Sequence, residues 1–434
     1  MSILLAVIVF SVLVFIHEFG HFVLAKKNGV KVIEFSIGFG PRLFTFMKGE
    51  TRYSFKMIPF GGACQMLNKE VMTEEEMAAE DVSRSFESKS VWARMSIVLA
   101  GPIFNFVLAF VLAILVIGIV GYDKPVITDV YKGSAAEAAG LKPGDLITEY
   151  NGQEIDIARE IYLENFINPI GEEAFTIKYI RDGKEYETIV TPKYVEKYAL
   201  GFTYHATDET FEVKEVTKDG PFDKLGVKVG DIITSVNGVE IKTGAEFHTY
   251  ITDHPLGKEE VEIVFLRDGV ESTLKVTPEY SSGSYSVGFS YNTGRVETDA
   301  IGVLKYSCIE IEYQISTVFK SLGMLFTGQV TVNDFSGPVG IVDYIDTAYQ
   351  ESKSDGALYV FLNIANLTML LSANLGVMNL LPIPGLDGGR FLFQVLEVIL
   401  RRPVKHEEYF HLAGMILLML FAIYVMFQDI FKII

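Results

Sequence analysis

Residues 2 to 25 form one apolar run, and its second half holds His17-Glu18-Phe19-Gly20-His21, the only charged or titratable cluster within it. A run of this length can cross about 30 Å of hydrocarbon, where the backbone must satisfy its own polar groups, so the segment is expected as a membrane-spanning helix. On a helix His17 and His21 stand one turn apart on one face, with Glu18 rotated from them by about 100°. Two imidazoles can then meet one cation while the carboxylate reaches a water bound to it, which is the arrangement of a zinc hydrolase. The metal lowers the water's pKa toward ~7 and polarises the scissile carbonyl, and the carboxylate takes the proton and hands it to the leaving amine. A charge such as Glu18 in an apolar helix costs roughly 2.5 to 3.5 kcal/mol unless it has a partner or a function. That cost favours chemistry over two histidines snorkelling to water.

Three further apolar stretches, roughly 95–120, 358–381 and 409–428, are long enough to span, giving four spans in all. The first run lacks a basic leader and a cleavage site, and is expected to stay on the protein as a signal-anchor. Lys26, Lys27, Lys31, Arg42, Lys48, Arg52 and Lys56 follow span one, while Arg390, Arg401, Arg402 and Lys405 lie between spans three and four. Both loops should therefore be cytoplasmic, with the segment between spans two and three outside.

That segment is acidic: residues 121 to 300 hold 33 Asp and Glu against 18 Lys and Arg, about -15 of the chain's net charge of -18. This argues for a water-facing insert and against a nucleic-acid partner. Cys64 and Cys308 are the only two cysteines, far apart and without zinc spacing, so no disulfide framework or cysteine metal site is expected.

The insert repeats itself at an offset of 86 residues: Gly144-Asp145-Leu146-Ile147-Thr148 returns as Gly230-Asp231-Ile232-Ile233-Thr234, Asn151-Gly152 as Asn237-Gly238, and Arg181-Asp182-Gly183 as Arg267-Asp268-Gly269. Each copy reads as short alternating strands with Asn-Gly and Asp-Gly turns around one helix, a small partly open β-barrel. The run from Gly133 to Asp145, and its counterpart from Asp219 to Asp231, resemble bacterial PDZ domains. Leu200-Gly201-Phe202 and Val287-Gly288-Phe289 look like the turn that cups a peptide carboxylate in such domains.

A zinc site needs a third protein ligand, and the best candidate is distant in sequence. At the end of span three stands Asn379-Leu380-Leu381-Pro382-Ile383-Pro384-Gly385-Leu386-Asp387-Gly388-Gly389, a proline-broken helix end carrying one carboxylate at membrane depth. Broken backbone there is tolerated only where it lines a cavity or is buried in protein.

The HEFGH cluster, the repeated insert and this N-x-x-P-x-P-x-L-D-G-G run together resemble the site-2 protease family, most of all its bacterial sigma-E-regulating branch with tandem PDZ domains. The resemblance covers essentially the whole chain. It implies zinc held by His17, His21 and Asp387, Glu18 as general base, and substrate contacts from Asn379 and Pro382. It also implies that Phe35 to Pro41 and Tyr53 to Gly62 form a membrane-associated β-hairpin that offers a strand to the substrate, with Phe55, Met57 and Ile58 as substrate-binding positions. A helical substrate must unwind before its amides are cut, and β-pairing satisfies the freed groups. After Gly61-Gly62 the family commonly has Tyr-Val-Lys, whereas this chain has Ala63-Cys64-Gln65, so side-chain contacts do not transfer there while backbone pairing does. Two more matches are Gly101-Pro102-Ile103-Phe104-Asn105 in span two and Phe335-Ser336-Gly337-Pro338-Val339-Gly340 before span three. Between about 298 and 357, Leu304, Ile309, Ile311, Ile315, Val318, Phe319, Leu322 and Leu325 recur at helical spacing, as in an amphipathic helix at the outer interface that couples the insert to the spans or anchors it.

The expected fold is an α-helical polytopic membrane protein with four transmembrane helices and a membrane-associated β-hairpin, carrying an inserted pair of small mainly-β PDZ domains. Residues 1–121 hold the first two spans and the hairpin, 122–200 and 201–292 the two PDZ domains, 293–357 the amphipathic connection, and 358–434 the last two spans. The expected activity is intramembrane zinc endoproteolysis of single-pass membrane proteins already shortened by another protease, such as an anti-sigma factor or signal-peptide remnants, in a bacterial inner membrane with the PDZ pair on the periplasmic side. The pair would either filter substrates by size or recruit peptide C-termini, and membrane lipid is the remaining partner. The alternative is a catalytically silent membrane adaptor whose PDZ domains bind exposed C-termini.

Overall fold

The computed structural model of the chain describes residues 2–68, 81–205, 210–292, 294–331, 334, 336–353, 355–404 and 406–433; Phe335 and Lys405 of the sequence motifs lie outside these. The chain divides into a largely helical unit, residues 1–124 and 293–434, and a second unit, Pro125–Asn292.

In the helical unit α1 (Ser2–Lys27) leads into a hairpin of β1 (Val32–Lys48) and β2 (Thr51–Met66), followed by α2 (Val91–Val120). After the insert come α3 (Ala300–Thr327), α4 (Pro338–Lys353), α5 (Ala357–Leu380), α6 (Asp387–Leu400) and α7 (Glu407–Ile433). Four of them, α1, α2, α5 and α7, are long and apolar enough to cross a membrane, each within a few residues of the span expected from sequence. Their outward faces carry Ile3, Leu4, Ile8, Val107, Val111, Leu417 and Leu420 exposed, as hydrocarbon rather than water as solvent requires.

Between the helices the contacts are made by small residues. Ala109 and Ala113 of α2 lie buried with Met369 and Ala373 of α5, and Gly20 of α1 sits so close to the Ala100 carbonyl of α2 that any side chain would collide with it. Close backbone approach of this kind maximises packing where lipid removes the hydrophobic drive for association.

The connection after the insert is helical. It forms two helices, and α3 buries Ser307, Glu310 and Gln314 while Ile301, Leu304, Phe319 and Phe326 stand exposed. Both faces of α3 are mixed, since Lys305 and Glu312 are exposed as well and Ile311 packs against the cluster of Ala109, Ala113, Met369 and Ala373.

The hairpin bends on itself into a sheet of four segments, antiparallel at its two outer pairings and parallel at the central one between 34–37 and 52–55. Residues 34–37 of β1 pair on one side with 62–65 of β2 and on the other with 52–55, which in turn pair with 44–47. Segment 62–65 is thus an outer edge.

In the second unit the sequence repeat is a structural one. Each copy makes a four-stranded antiparallel sheet, in order 153–154, 146–150, 175–181, 184–190 and then, 86 residues on, 239–240, 232–236, 261–267, 270–276. Asn151, Asp182, Asn237 and Asp268 all turn the chain with φ near +50°, each followed by a left-handed glycine, as tight hairpins demand. Arg181 grips the buried Asp145 through two bonds of 2.6 and 2.7 Å, and Arg267 grips Asp231 at 2.7 and 2.6 Å.

The two copies are nested rather than serial. Val287 packs in the first copy's core with Ile127, Ile147 and Ile177, and Phe289–Tyr291 pairs with Ile127–Val130. Leu200 packs in the second copy's core with Phe211 and Phe222, and Phe202–Thr203 pairs with Glu215–Val216. The equivalent strands Lys193–Ala199 and Glu279–Ser286 pair with each other and carry the chain out and back. A division at 200 and 201 therefore gives way to a first copy completed by residues 287–291, with the second inserted inside it. Tyr122–Asp123 pairs with Arg295–Val296 in the helical unit, so the insert starts at Pro125 rather than at 122.

Candidate metal centre

α1 places His17 and His21 on one face with ring centroids 4.8 Å apart and their Nε2 atoms 3.2 Å apart. The third member arrives from the far end of the chain. Leu381 ends α5 in an extended conformation, as a residue before proline must, and the chain turns through Pro382 to Leu386 into α6, whose first residue is Asp387. Gly388 and Gly389 let that first turn lie against the carbonyls of Leu380, Leu381 and Ile383, where a Cβ would collide. Asp387 Oδ2 comes to rest 3.1 Å from His17 Nε2 and 3.4 Å from His21 Nε2.

The three ligand atoms form a triangle with edges of 3.1, 3.2 and 3.4 Å. Ligands at about 2.0 to 2.1 Å in a tetrahedron lie about 3.3 to 3.4 Å apart, so the triangle has the size of one face of a zinc site. Asp387 Oδ2 is buried and faces only the two imidazole Nε2 atoms, so with both nitrogens unprotonated its lone pairs are left for a cation. Among the described residues these three side chains are the only His, Cys, Asp or Glu group that could hold a metal ion.

A model of peptidase family M50 matches residues 5–421. The chain belongs to peptidase family M50. The zinc metalloprotease RasP of Shouchella clausii is 31% identical over all of this chain and 99% of its own length, and RasP of Bacillus licheniformis is 29% identical over 98% and 97%. The regulator of sigma-E protease RseP of Salmonella typhimurium is 30% identical over 98% of this chain and 97% of its own. With its four apolar helices, this M50 peptidase is a multi-pass membrane protein.

The remaining predicted residues divide. Glu18 lies beside the cluster, its Oε2 accepting the backbone N–H of Cys64 at 2.8 Å. The strand that meets it is therefore segment 62–65, not the stretch that carries Phe55, Met57 and Ile58. Those three are exposed, and Phe55 is separated from the edge by β1, pairing with Ile37 and Phe44. Gly62 permits the approach, since a Cβ there would press on the Ser36 carbonyl at 2.9 Å and Glu18 Cγ at 3.3 Å. Asn379 is half-buried in the last turn of α5 and Pro382 is exposed just beyond it.

Sequence reasoning singled out the Gly101 to Asn105 motif without a role. A Cβ on Gly101 would come within 2.6 Å of His21 Cε1 and 2.7 Å of His17 Cε1, so α2 can approach both rings only with glycine there. His21 Nδ1 donates to the Ile97 carbonyl at 2.8 Å, and the Asn105 side-chain amide stands 3.1 Å from His17 Nδ1. The sequence signal was an asparagine inside a span, a polar side chain costly in lipid unless it is used.

Proposed function

We propose that this M50 peptidase is an intramembrane zinc endopeptidase in which His17, His21 and Asp387 hold the ion and Glu18 is the general base. The observation that carries the reading is the meeting of three ligand atoms, contributed by α1 and α6, in a triangle of zinc size. Zinc bound there supplies a water activated near neutral pH and polarises the substrate carbonyl. Glu18 removes a proton and returns it to the leaving amine. The outer edge at 62–65 pairs with the substrate backbone, holding it extended and replacing the helical hydrogen bonds it gave up. Asn379 and Pro382, at the broken end of α5, border the same loop and contact substrate.

The substrates fitting this site are single-pass membrane proteins, trimmed anti-sigma factors among them, as the name of the Salmonella relative suggests. The lysine- and arginine-rich loops after α1 and between α6 and α7 support an orientation with both in the cytoplasm, in a bacterial inner membrane, and the acidic insert on the periplasmic side. The nested pair are PDZ domains whose Gly201 and Gly288 turns receive peptide C-termini. The silent-adaptor alternative loses ground to the peptidase family match and the intact cluster.

Cleavage of a tagged single-pass substrate in membranes tests the reading. Glu18→Gln should abolish cleavage at matched expression while zinc is retained, and a strong chelator should abolish it reversibly. Cleavage by Glu18→Gln at the wild-type rate would end the proposal.

A further inference from the structure

Residues 97, 101 and 105 lie one turn apart on α2, and all three meet the imidazoles of α1. Ile97 supplies a carbonyl to His21 Nδ1, which leaves the His21 Nε2 lone pair directed at the cluster. Gly101 supplies room. Asn105 is fully buried, and its own backbone carbonyl accepts from Ser372 Oγ of α5 at 2.7 Å, so its backbone is tied to a second helix.

Its amide has one end next to His17 Nδ1 and the other buried with no partner. With Nδ2 next to the ring, as placed, Nδ1 accepts and the ring proton sits on Nε2, 3.1 Å from Asp387 Oδ2. A half turn of the amide instead brings Oδ1 to Nδ1, which then donates, and Nε2 keeps its lone pair. As placed the amide leaves Oδ1 unpaired, and the tautomer of His17 decides between the two orientations. A metal-binding imidazole must be neutral with its proton on the nitrogen away from the ion, and its partner there must be an acceptor.

We propose that Asn105 is a positioning residue for the metal: its side-chain carbonyl accepts the Nδ1 proton of His17 and thereby holds the Nε2 lone pair toward Asp387 and His21. The inference rests on the zinc reading above. With Ile97 one turn before it, the span-two motif then supplies three supports for two rings at successive turns.

The test is zinc retention by purified full-length protein dialysed against graded chelator, with thermal unfolding in excess chelator measured alongside. Asn105→Leu keeps the volume and removes the acceptor, and should weaken zinc binding roughly 10- to 100-fold. Asn105→Asp keeps an acceptor and should retain zinc within about threefold of wild type, as carboxylate partners of ligating histidines do. Without metal, the unfolding temperatures of wild type and Asn105→Asp should agree. Asn105→Leu retaining zinc like wild type overturns the proposal, as does Asn105→Asp losing zinc along with it, since a purely packing role predicts no rescue by an acceptor. A wild-type protein that holds no zinc overturns the metal reading itself, and this proposal with it.

Discussion

The carboxylate of Glu18 is tied to the backbone of Cys64 by a 2.8 Å hydrogen bond that joins α1 to the outer edge of the hairpin. A hydrogen bond to a charged group contributes about 1.5 to 3 kcal/mol and fixes direction as well as distance. Because the Cys64 N–H points out of the sheet toward Glu18, a proline at that position removes the donor without breaking a bond internal to the hairpin. Cys64→Pro should therefore lower cleavage at least about tenfold with zinc still bound, while Cys64→Ala, which keeps the backbone, should cut like wild type. Equal activity in both variants would show that the base needs no such tether.

The loop that delivers Asp387 is held from α7. Gly385 donates its N–H to His411 Nδ1 at 3.1 Å, and its φ of +98° is a conformation only glycine adopts easily. Gly414 lies against the Pro384 carbonyl, where a Cβ would collide. His411→Leu and Gly414→Val should loosen this loop and weaken zinc retention by about tenfold, on the scale of other supports of metal ligands, with α1 undisturbed. Retention equal to wild type in both would mean that α5 and α6 alone set Asp387.

Much of this site was legible because the chemistry is costly in lipid. HEFGH and the Asp387 loop stood out as charges and broken backbone in apolar runs, and the folded chain brings those residues together. The bend of the hairpin was not legible, because alternation marks Tyr53 to Gly62 as a strand but does not report that residues 62–65 fold back into an outer edge beside Glu18. The nested repeat was equally hidden: an 86-residue offset shows two copies but not that Val287 crosses into the first core and Leu200 into the second.

The start of α4 is held by a carboxylate from another helix. Asp429 of α7, nearly fully buried, accepts the N–H of Gly337 at 3.1 Å and of Gly340 at 2.9 Å. These are donors that a helix cannot satisfy from within its first turn. Asp429→Ala should leave both unpaired and lower stability by about 1 to 3 kcal/mol, read as a fall in unfolding temperature in detergent, and Asp429→Asn, with one acceptor left, should fall less. Equal losses would point to packing around Gly337 rather than to the cap.

The hairpin carries its own acid sensitivity. Glu34 is buried in β1 and receives two bonds from Arg42, at 2.8 and 2.7 Å, which with help from Ser54 hold its carboxyl down to about 2 against the burial that opposes ionisation. A carboxyl with a depressed folded-state pKa adds stability that is complete above its ordinary value near 4.5 and is lost as pH falls toward about 2. Since Arg42 is about half exposed, solvent screens the pair and the contribution is on the order of 1 kcal/mol. Hydrogen exchange of the hairpin amides should accelerate as pH drops through that window beyond the intrinsic rate, and Glu34→Gln should already be weakened at neutral pH and show no such step. A variant whose protection follows wild type from pH 5 to 2 would place the acid-sensitive group elsewhere.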